Sequence, residues 1–307
     1  MHTDSSQTPP DNLSLISKIG CGLLMGGADA IPGVSGGTIA LILGIYQRFI
    51  DALGVVLTGP KHIAQQDGRT KLKRAFGFLI PLGVGVVVSY FLATRFLVGK
   101  SESPGIMLSN QSAPLCYGFF FGLVLFSIKE PWKRIGTPTL FCLLAAGIGF
   151  VTSFTFVGLP KNLLDTSMPI LLFGGAGAIT RMLLPGVSGS LFLVIIGQYT
   201  VVAGGLHDKQ WGVVFTFLAG IVLVAFTFIP LLKSLLRKHS DLTMATLTGL
   251  MAGSLRALWP WKEGYNPKID TMSNIVPQTL DVLPCVAFVF GIVAVFGLNH
   301  IEKRLKA

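Results

Sequence analysis

Two short stretches of this chain hold the residues best suited to chemistry. Pro32-Gly33-Val34-Ser35-Gly36-Gly37-Thr38 and Pro185-Gly186-Val187-Ser188-Gly189-Ser190 open with the same five residue types. In each, Pro and Gly end one helix and a hydroxyl caps the next: Ser35 or Thr38 in the first, Ser188 or Ser190 in the second. The glycines permit a tight backbone that another group can approach closely. A helix starting after either loop aims its free N–H groups and the positive end of its dipole at the loop. That arrangement suits an anion, with phosphate or carboxylate the natural guest. Asp29 and Arg181 precede the two loops by three and four residues in otherwise apolar sequence. Either they pair with each other, or Arg181 neutralises a bound anion while Asp29 exchanges a proton. Arg48 and Arg256 are two further cations placed to receive an anion.

The first loop also satisfies G-x-S-x-G, the nucleophile elbow of hydrolases. An elbow needs a strand before it and a triad histidine after it. The histidines (His2, His62, His207, His239, His300) lie outside the apolar runs and lack metal-ligand spacing, and the second loop ends in Ser190 rather than Gly. A lipid phosphatase would need a concentrated His/Asp/Arg set, which is not found, and no ATP-binding loop occurs. Cys21, Cys116, Cys142 and Cys285 lie in apolar stretches without a C-x-x-C pair and read as packing residues. The expectation is a protein that moves an anion, without metal or cofactor, rather than an enzyme.

The elements that must carry these loops are membrane helices. Apolar residues make up 51% of the 307 and charged residues 12%, with mean hydropathy +0.68. A chain with about half the usual charge cannot cover a water-exposed surface. That excludes an ordinary soluble enzyme, a nucleic-acid module and a disordered protein. Apolar runs fall at 13–27, 37–58, 75–98, 113–128, 137–158, 168–180, 187–206, 211–232, 242–259 and 280–299. They are too long for barrel strands, and several approach the roughly 20 residues of a spanning helix. The net charge of +10 reflects loop asymmetry rather than a nucleic-acid partner. Fourteen Lys and Arg fall in 59–74, 129–136, 233–241 and the tail, against five in 99–105, 159–167, 203–210 and 260–279. The positive-inside rule places the first group and both termini in the cytoplasm. Arg256 then sits near the outer end of its run, Arg48 lies on the cytoplasmic side, and Arg95 snorkels at an outer end. The polar first twelve residues, with Pro9 and Pro10, do not look like a signal peptide.

The chain repeats itself. Pro-Gly-Val-Ser-Gly recurs at an offset of 153, as does Gly44-Ile45-Tyr46 against Gly197-Gln198-Tyr199. Gly-Gly-Ala precedes each loop, at 26–28 and 174–176. Gly118-x-x-x-Gly122 with Pro131-Trp132-Lys133 is echoed by Gly249-x-x-x-Gly253 with Pro260-Trp261-Lys262. The organisation expected is a polar tail 1–12, repeat 13–158, repeat 168–299 and a basic tail 300–307. The charge map sets the repeats in opposite orientations, and inverted repeats with matched broken helices point to a transporter's binding site. The fold class is an all-α polytopic membrane protein. In the preferred layout 13–46 and 168–199 are opposed re-entrant hairpins and six helices span; in the alternative all ten runs span. The segments 37–46 and 190–199, about 15 Å as helix, reach only halfway through a bilayer and favour the hairpins.

Gly26-Gly27-Ala28-Asp29-Ala30-Ile31-Pro32-Gly33-Val34-Ser35-Gly36-Gly37-Thr38, followed by Gly44-Ile45-Tyr46, resembles the signature of a bacterial membrane family once known only as a domain of unknown function and now described as the polyprenyl-phosphate transporter family, PopT. The second Pro-Gly-Val-Ser-Gly and the Pro-Trp-Lys region resemble it too, so the likeness covers nearly the whole chain. The resemblance implies translocation of undecaprenyl phosphate, a lipid carrier, from the outer to the inner leaflet of the cytoplasmic membrane. That carrier is recycled for peptidoglycan and other envelope polymers. The substrate comes from the resemblance; composition and spacing give an inverted-repeat transporter with anion sites. The second loop departs from the first, with Arg181-Met182 near the position of Asp29 and Ser190 in place of Gly37, so equal roles do not follow. The runner-up is a secondary transporter of a small soluble anion. The partners expected are the polyprenyl phosphate and membrane lipids, with no nucleic acid; a homo-oligomer is compatible with the sequence.

Overall fold

The computed structural model describes residues 13–31, 34–59, 66–97, 99–100, 103–107, 109–159, 167–186, 188–199, 201–202, 205, 209–265, 273–277 and 281–306. Helices follow in the order α1 (Leu15–Asp29), α2 (Gly36–Ile42), α3 (Tyr46–Thr58), α4 (Gln66–Leu97), α5 (Ala113–Ser127), α6 (Lys129–Trp132), α7 (Leu140–Val157), α8 (Met168–Leu183), α9 (Gly189–Ile195), α10 (Trp211–Lys238), α11 (Ser240–Ser254) and α12 (Val282–Lys306). A 3-10 turn, Leu255–Leu258, extends α11, and a two-residue antiparallel pair, β1 (Gly99–Lys100) with β2 (Ser103–Pro104), follows α4.

Among the described residues five helices are long and apolar enough to cross a membrane, Gly68–Leu97, Ala113–Trp132, Leu140–Val157, Trp211–Lys238 and Val282–Lys303, with the bent pair Gly36–Ile42 and Tyr46–Thr58 a sixth if it counts as one span. Their outer faces expose large apolar side chains at helical spacing, among them Val84, Val88 and Phe91 on α4, Phe141, Leu144 and Ile148 on α7, and Val286, Phe290 and Val293 on α12. Such faces are stable in lipid and not in water, so this is a multi-pass membrane protein. The sequence run 242–259 yields a 15-residue α11, about 22 Å long and short of a full span by itself. The run 37–58 breaks at residues 43–45, where α2 and α3 meet at 120°. Arg48 and Asp51 therefore stand on a separate helix, not in the middle of a span. α2 and α9 each have seven residues, about 10 Å, shorter than the ten expected from sequence.

The long helices pair as α1 with α4, α5 with α12, α7 with α11 and α8 with α10. Glycine makes these seams close. A Cβ on Gly122 or Gly291 would collide with the carbonyls of Phe288 or Phe119, and one on Gly149 or Gly249 with those of Thr246 or Ala146. The contacts also fix direction. Gly22 lies against Leu82 and Gly26 against Val86, while Met168 meets Gly212 and Thr216 and Gly175 meets Phe217 and Ile221, so both pairs are parallel. α3 crosses the two: Arg48 lies 4.4 Å over the Phe78 ring of α4, and Asp51 pairs with Lys233 of α10 at 2.9 Å. α3 thus bridges the N-terminal half of α4 and the C-terminal end of α10.

Every residue of α2 is buried, with Ala40, Leu41 and Ile42 fully enclosed. α2 and α9 end alike. Gly44 has φ +72° and Gly197 φ +74°. Gly44 N–H donates to Leu41 O at 3.1 Å and Ile45 N–H to Ala40 O at 3.0 Å; Gly197 N–H donates to Val194 O at 3.2 Å and Gln198 N–H to Leu193 O at 2.9 Å. These residues match one for one at the 153-residue offset. A left-handed glycine closing the last turn satisfies carbonyls that the helix leaves open.

Candidate functional site

The N-terminus of α2 is occupied from within. Ser35 caps it, its Oγ accepting from Gly37 N–H at 3.2 Å. Asp29, the last residue of α1, accepts from Gly36 N–H through Oδ1 at 2.6 Å. A carboxylate of the same hairpin therefore sits at the helix end that the sequence assigned to a substrate anion. It gains a charge-assisted hydrogen bond and the favourable end of the dipole. The pairing of Asp29 with Arg181, one of the two sequence alternatives, is not formed; the Asp29 carboxylate is engaged by Gly36 instead.

The two loops interlock. The last carbonyls of α8 have no intrahelical partner, and the first hairpin supplies donors. Tyr46 Oη–H, fully buried, donates to Leu183 O at 3.0 Å. Ser35 Oγ lies 3.5 Å from Met182 O and 3.4 Å from Leu184 O. In return Gly186 N–H donates to Thr38 Oγ1 at 2.9 Å in a buried setting. Gly186 has φ +86°, and an added Cβ would stand 2.5 Å from Met251 Cα. Pro185, Val34, Thr38, Gly36 and Gly37 are all buried around this junction.

The N-terminus of α9 differs. Ser188 caps it, with Oγ 3.5 Å from Leu191 N and 2.8 Å from Ser190 Oγ. Among the described residues no acceptor takes the Gly189 or Ser190 amide N–H, and no carboxylate stands where Asp29 stands in the first hairpin. Arg181, in the last turn of α8, lies beside this end. Its guanidinium carbon is 3.4 Å from the centroid of the Phe156 ring and 5.4 Å from that of Phe192 in α9. Stacking on aromatic faces holds the charge in place. Among the described residues Arg181 makes no hydrogen bond and no ion pair. Tyr199 packs on the same Phe156–Phe192 cluster, and Tyr90 of α4 lies within electrostatic range of both Tyr199 and Asp29.

The other sequence candidates lie apart. Arg48 is over Phe78 at one end of the molecule. Arg256 is in the 3-10 turn at the other end, donating to Phe154 O at 3.1 Å. Pro32, Gly33 and Val187 lie outside the described residues. Sequence reasoning missed Tyr46, Tyr90, Tyr199, Phe156 and Phe192. The repeated Gly-x-Tyr held a signal for two of them; the others look like ordinary apolar helix residues until packing brings them together.

Residues 25–276, which contain both loops, Arg181 and Arg256, match the VCA0040-like family, described as undecaprenyl phosphate translocase-like. The chain belongs to that family. It is 34% identical over 258 residues to the polyprenyl-phosphate transporter of Vibrio cholerae, covering 83% of this chain and 81% of that one. It is 28% identical over 304 residues to the polyprenyl-phosphate transporter of Staphylococcus aureus, covering 92% and 95%. No solved structure matches the chain. The family match takes in the whole hairpin junction and leaves only part of α1, the C-terminal helix α12 and the two tails outside.

Proposed function

We propose that this protein carries a polyprenyl phosphate, undecaprenyl phosphate foremost, across the bacterial cytoplasmic membrane. The direction is outer to inner leaflet, returning the carrier to envelope polymer synthesis, peptidoglycan included. It acts as a transporter without ATP hydrolysis rather than as an enzyme, and its N- and C-termini are cytoplasmic. Residues 13–158 and 168–299 act as inverted repeats, with α1–α2 and α8–α9 as re-entrant hairpins. The parallel pairing of α1 with α4 and of α8 with α10, and the like endings of α2 and α9, favour that layout.

The observation that carries the reading is Arg181. A guanidinium in an apolar, aromatic setting without an ion pair among the described residues is costly. A phosphate would meet it bidentately, with Gly189 and Ser190 N–H groups close by. Pro185, Gly186, Val187, Ser188, Gly189 and Ser190 frame this site. Pro32, Gly33, Val34, Ser35, Gly36, Gly37 and Thr38 frame its counterpart, where Asp29 holds the helix end until a proton neutralises it and the phosphate takes its place. Arg48 and Arg256 receive the headgroup at the two membrane faces. The tail stays in lipid throughout. Proteoliposomes containing fluorescent undecaprenyl phosphate test this: the purified protein should equilibrate the lipid between leaflets, measured with a membrane-impermeant quencher. A protein that leaves the leaflets unmixed while moving inorganic phosphate into the lumen would favour the small-anion reading.

A further inference from the structure

At the far end of α11 lies a cluster that the hairpin site does not use. Lys262 is 7% exposed. Its ammonium donates to the neutral Asn274 Oδ1 at 2.8 Å and stands 5.2 Å from the centroid of the Tyr117 ring. Asn274 in turn donates through Nδ2 to Arg256 O at 2.8 Å, tying the two cations into one unit. The Arg256 guanidinium meets a carbonyl, Phe154 O, and the face of the Phe154 ring at 4.6 Å. Among the described residues neither cation meets a carboxylate. Burial, and then the charge of Arg256, push the Lys262 amine down to about 8. Next in sequence, the Trp261 indole Nε1–H is buried with no acceptor among the described residues.

These shortages have one sign. Two cations and a buried donor lack a negative acceptor, and like charges held together without one raise each other's cost. An aromatic wall adjoins the cluster: Trp261 is 5.4 Å from Trp259, Trp259 is 5.9 Å from Phe121, and Phe121 is 6.1 Å from Phe288, all between ring centroids. We infer that Arg256 and Lys262, with Asn274 between them, form a second subsite for the phosphate monoester of a prenyl lipid, built from residues that the hairpin loops do not supply, with the chain laid along this wall. The inference rests on the lipid-phosphate reading above and adds Lys262 and Asn274 to it.

The test is titration of the detergent-solubilised full chain with farnesyl phosphate, read by tryptophan fluorescence, since Trp259 and Trp261 flank the cluster. Farnesol and inorganic phosphate serve as comparators. With Arg181→Ala in place to remove the hairpin site, farnesyl phosphate should still bind, and both comparators should bind far more weakly. Adding Lys262→Met should weaken binding by about tenfold or more, the scale of a lost charged hydrogen bond, while Lys262→Arg should restore most of it. Asn274→Asp keeps the acceptor for Lys262, loses the donor to Arg256 O and supplies a competing carboxylate, so weakened binding is expected there too, in protein checked for folding by its melting. Undiminished affinity in Lys262→Met and Asn274→Asp overturns the subsite. Inorganic phosphate binding as tightly as farnesyl phosphate overturns the headgroup assignment. Failure of the unmodified protein to bind farnesyl phosphate at all would instead sink the lipid-phosphate reading on which the subsite rests.

Discussion

Replacing Gly186 by alanine adds one methyl group where the two hairpins meet, and the structure sets its cost. The residue has φ +86°, and a left-handed backbone costs an alanine about 1–2 kcal/mol. The new Cβ would stand 2.5 Å from Met251 Cα and 2.7 Å from Met251 N. Both are backbone atoms of a packed helix, so relief requires moving α11 or the loop, at about 1–3 kcal/mol. Displacing the loop also stretches the buried Gly186 N–H bond to Thr38 Oγ1, now 2.9 Å, worth about 1 kcal/mol. The expected loss is about 3–6 kcal/mol, concentrated at the junction. Purified Gly186→Ala should insert into the membrane normally, melt several degrees lower in detergent and transport poorly. Gly147→Ala is the control, because nothing lies within 4 Å of its Cβ; it should match the unmodified protein in both assays. A Gly186→Ala protein with unchanged melting and full transport would show that the junction is an ordinary turn.

Asp29→Asn leaves an oxygen to accept from Gly36 N–H but cannot carry charge, so it should fold, melt near normally and transport at a rate that no longer depends on pH; retained pH dependence would remove Asp29 from coupling. A cysteine replacing Lys71 should react with an impermeant maleimide only after permeabilisation, and one replacing Lys268 should react from outside; the reverse pattern would invert the proposed orientation. Farnesyl phosphate affinity at the Arg256–Lys262 cluster should fall by about tenfold between pH 7 and pH 9.5 as Lys262 loses its proton near 8, with Lys262→Arg flattening the profile. The sign follows because the anion prefers the ammonium. Of the groups around it, Arg256 is the like-charged neighbour, Asn274 does not titrate, Tyr117 and Tyr265 are phenols, and the Asp281 side chain lies near Tyr265.

The spans were legible because lipid imposes one pattern on them: long apolar runs with charge confined to their ends. The hairpin loops were legible because Pro-Gly-Val-Ser-Gly occurs twice, and chain punctuation of that kind has few structural meanings. The break between α2 and α3 was hidden inside the apolar run 37–58, where only Gly44, with its left-handed backbone, marks it. The hydrogen bond from Gly36 N–H to Asp29 at the α2 N-terminus was not legible. A sequence shows that Asp29 is near the loop but not that α1 ends with its carboxylate turned onto Gly36. The aromatic cradle of Arg181 draws Phe156 and Phe192 from different helices, and nothing in their spacing could join them. The swapped seams, α5 against α12 and α7 against α11, are equally long-range. Their Gly-x-x-x-Gly pairs say that something packs closely, not which helix does.

The central claim is that Arg181 holds the phosphate of a polyprenyl lipid as it crosses. The most direct measurement is leaflet exchange of fluorescent undecaprenyl phosphate in proteoliposomes carrying Arg181→Lys and Arg181→Ala, each checked for normal insertion and melting. Lysine keeps the charge but not the planar two-point contact. Arg181→Lys should therefore exchange about tenfold more slowly and Arg181→Ala more slowly still, with lipid affinity falling in the same order. Exchange and affinity equal to the unmodified protein in a well-folded Arg181→Ala would contradict the account.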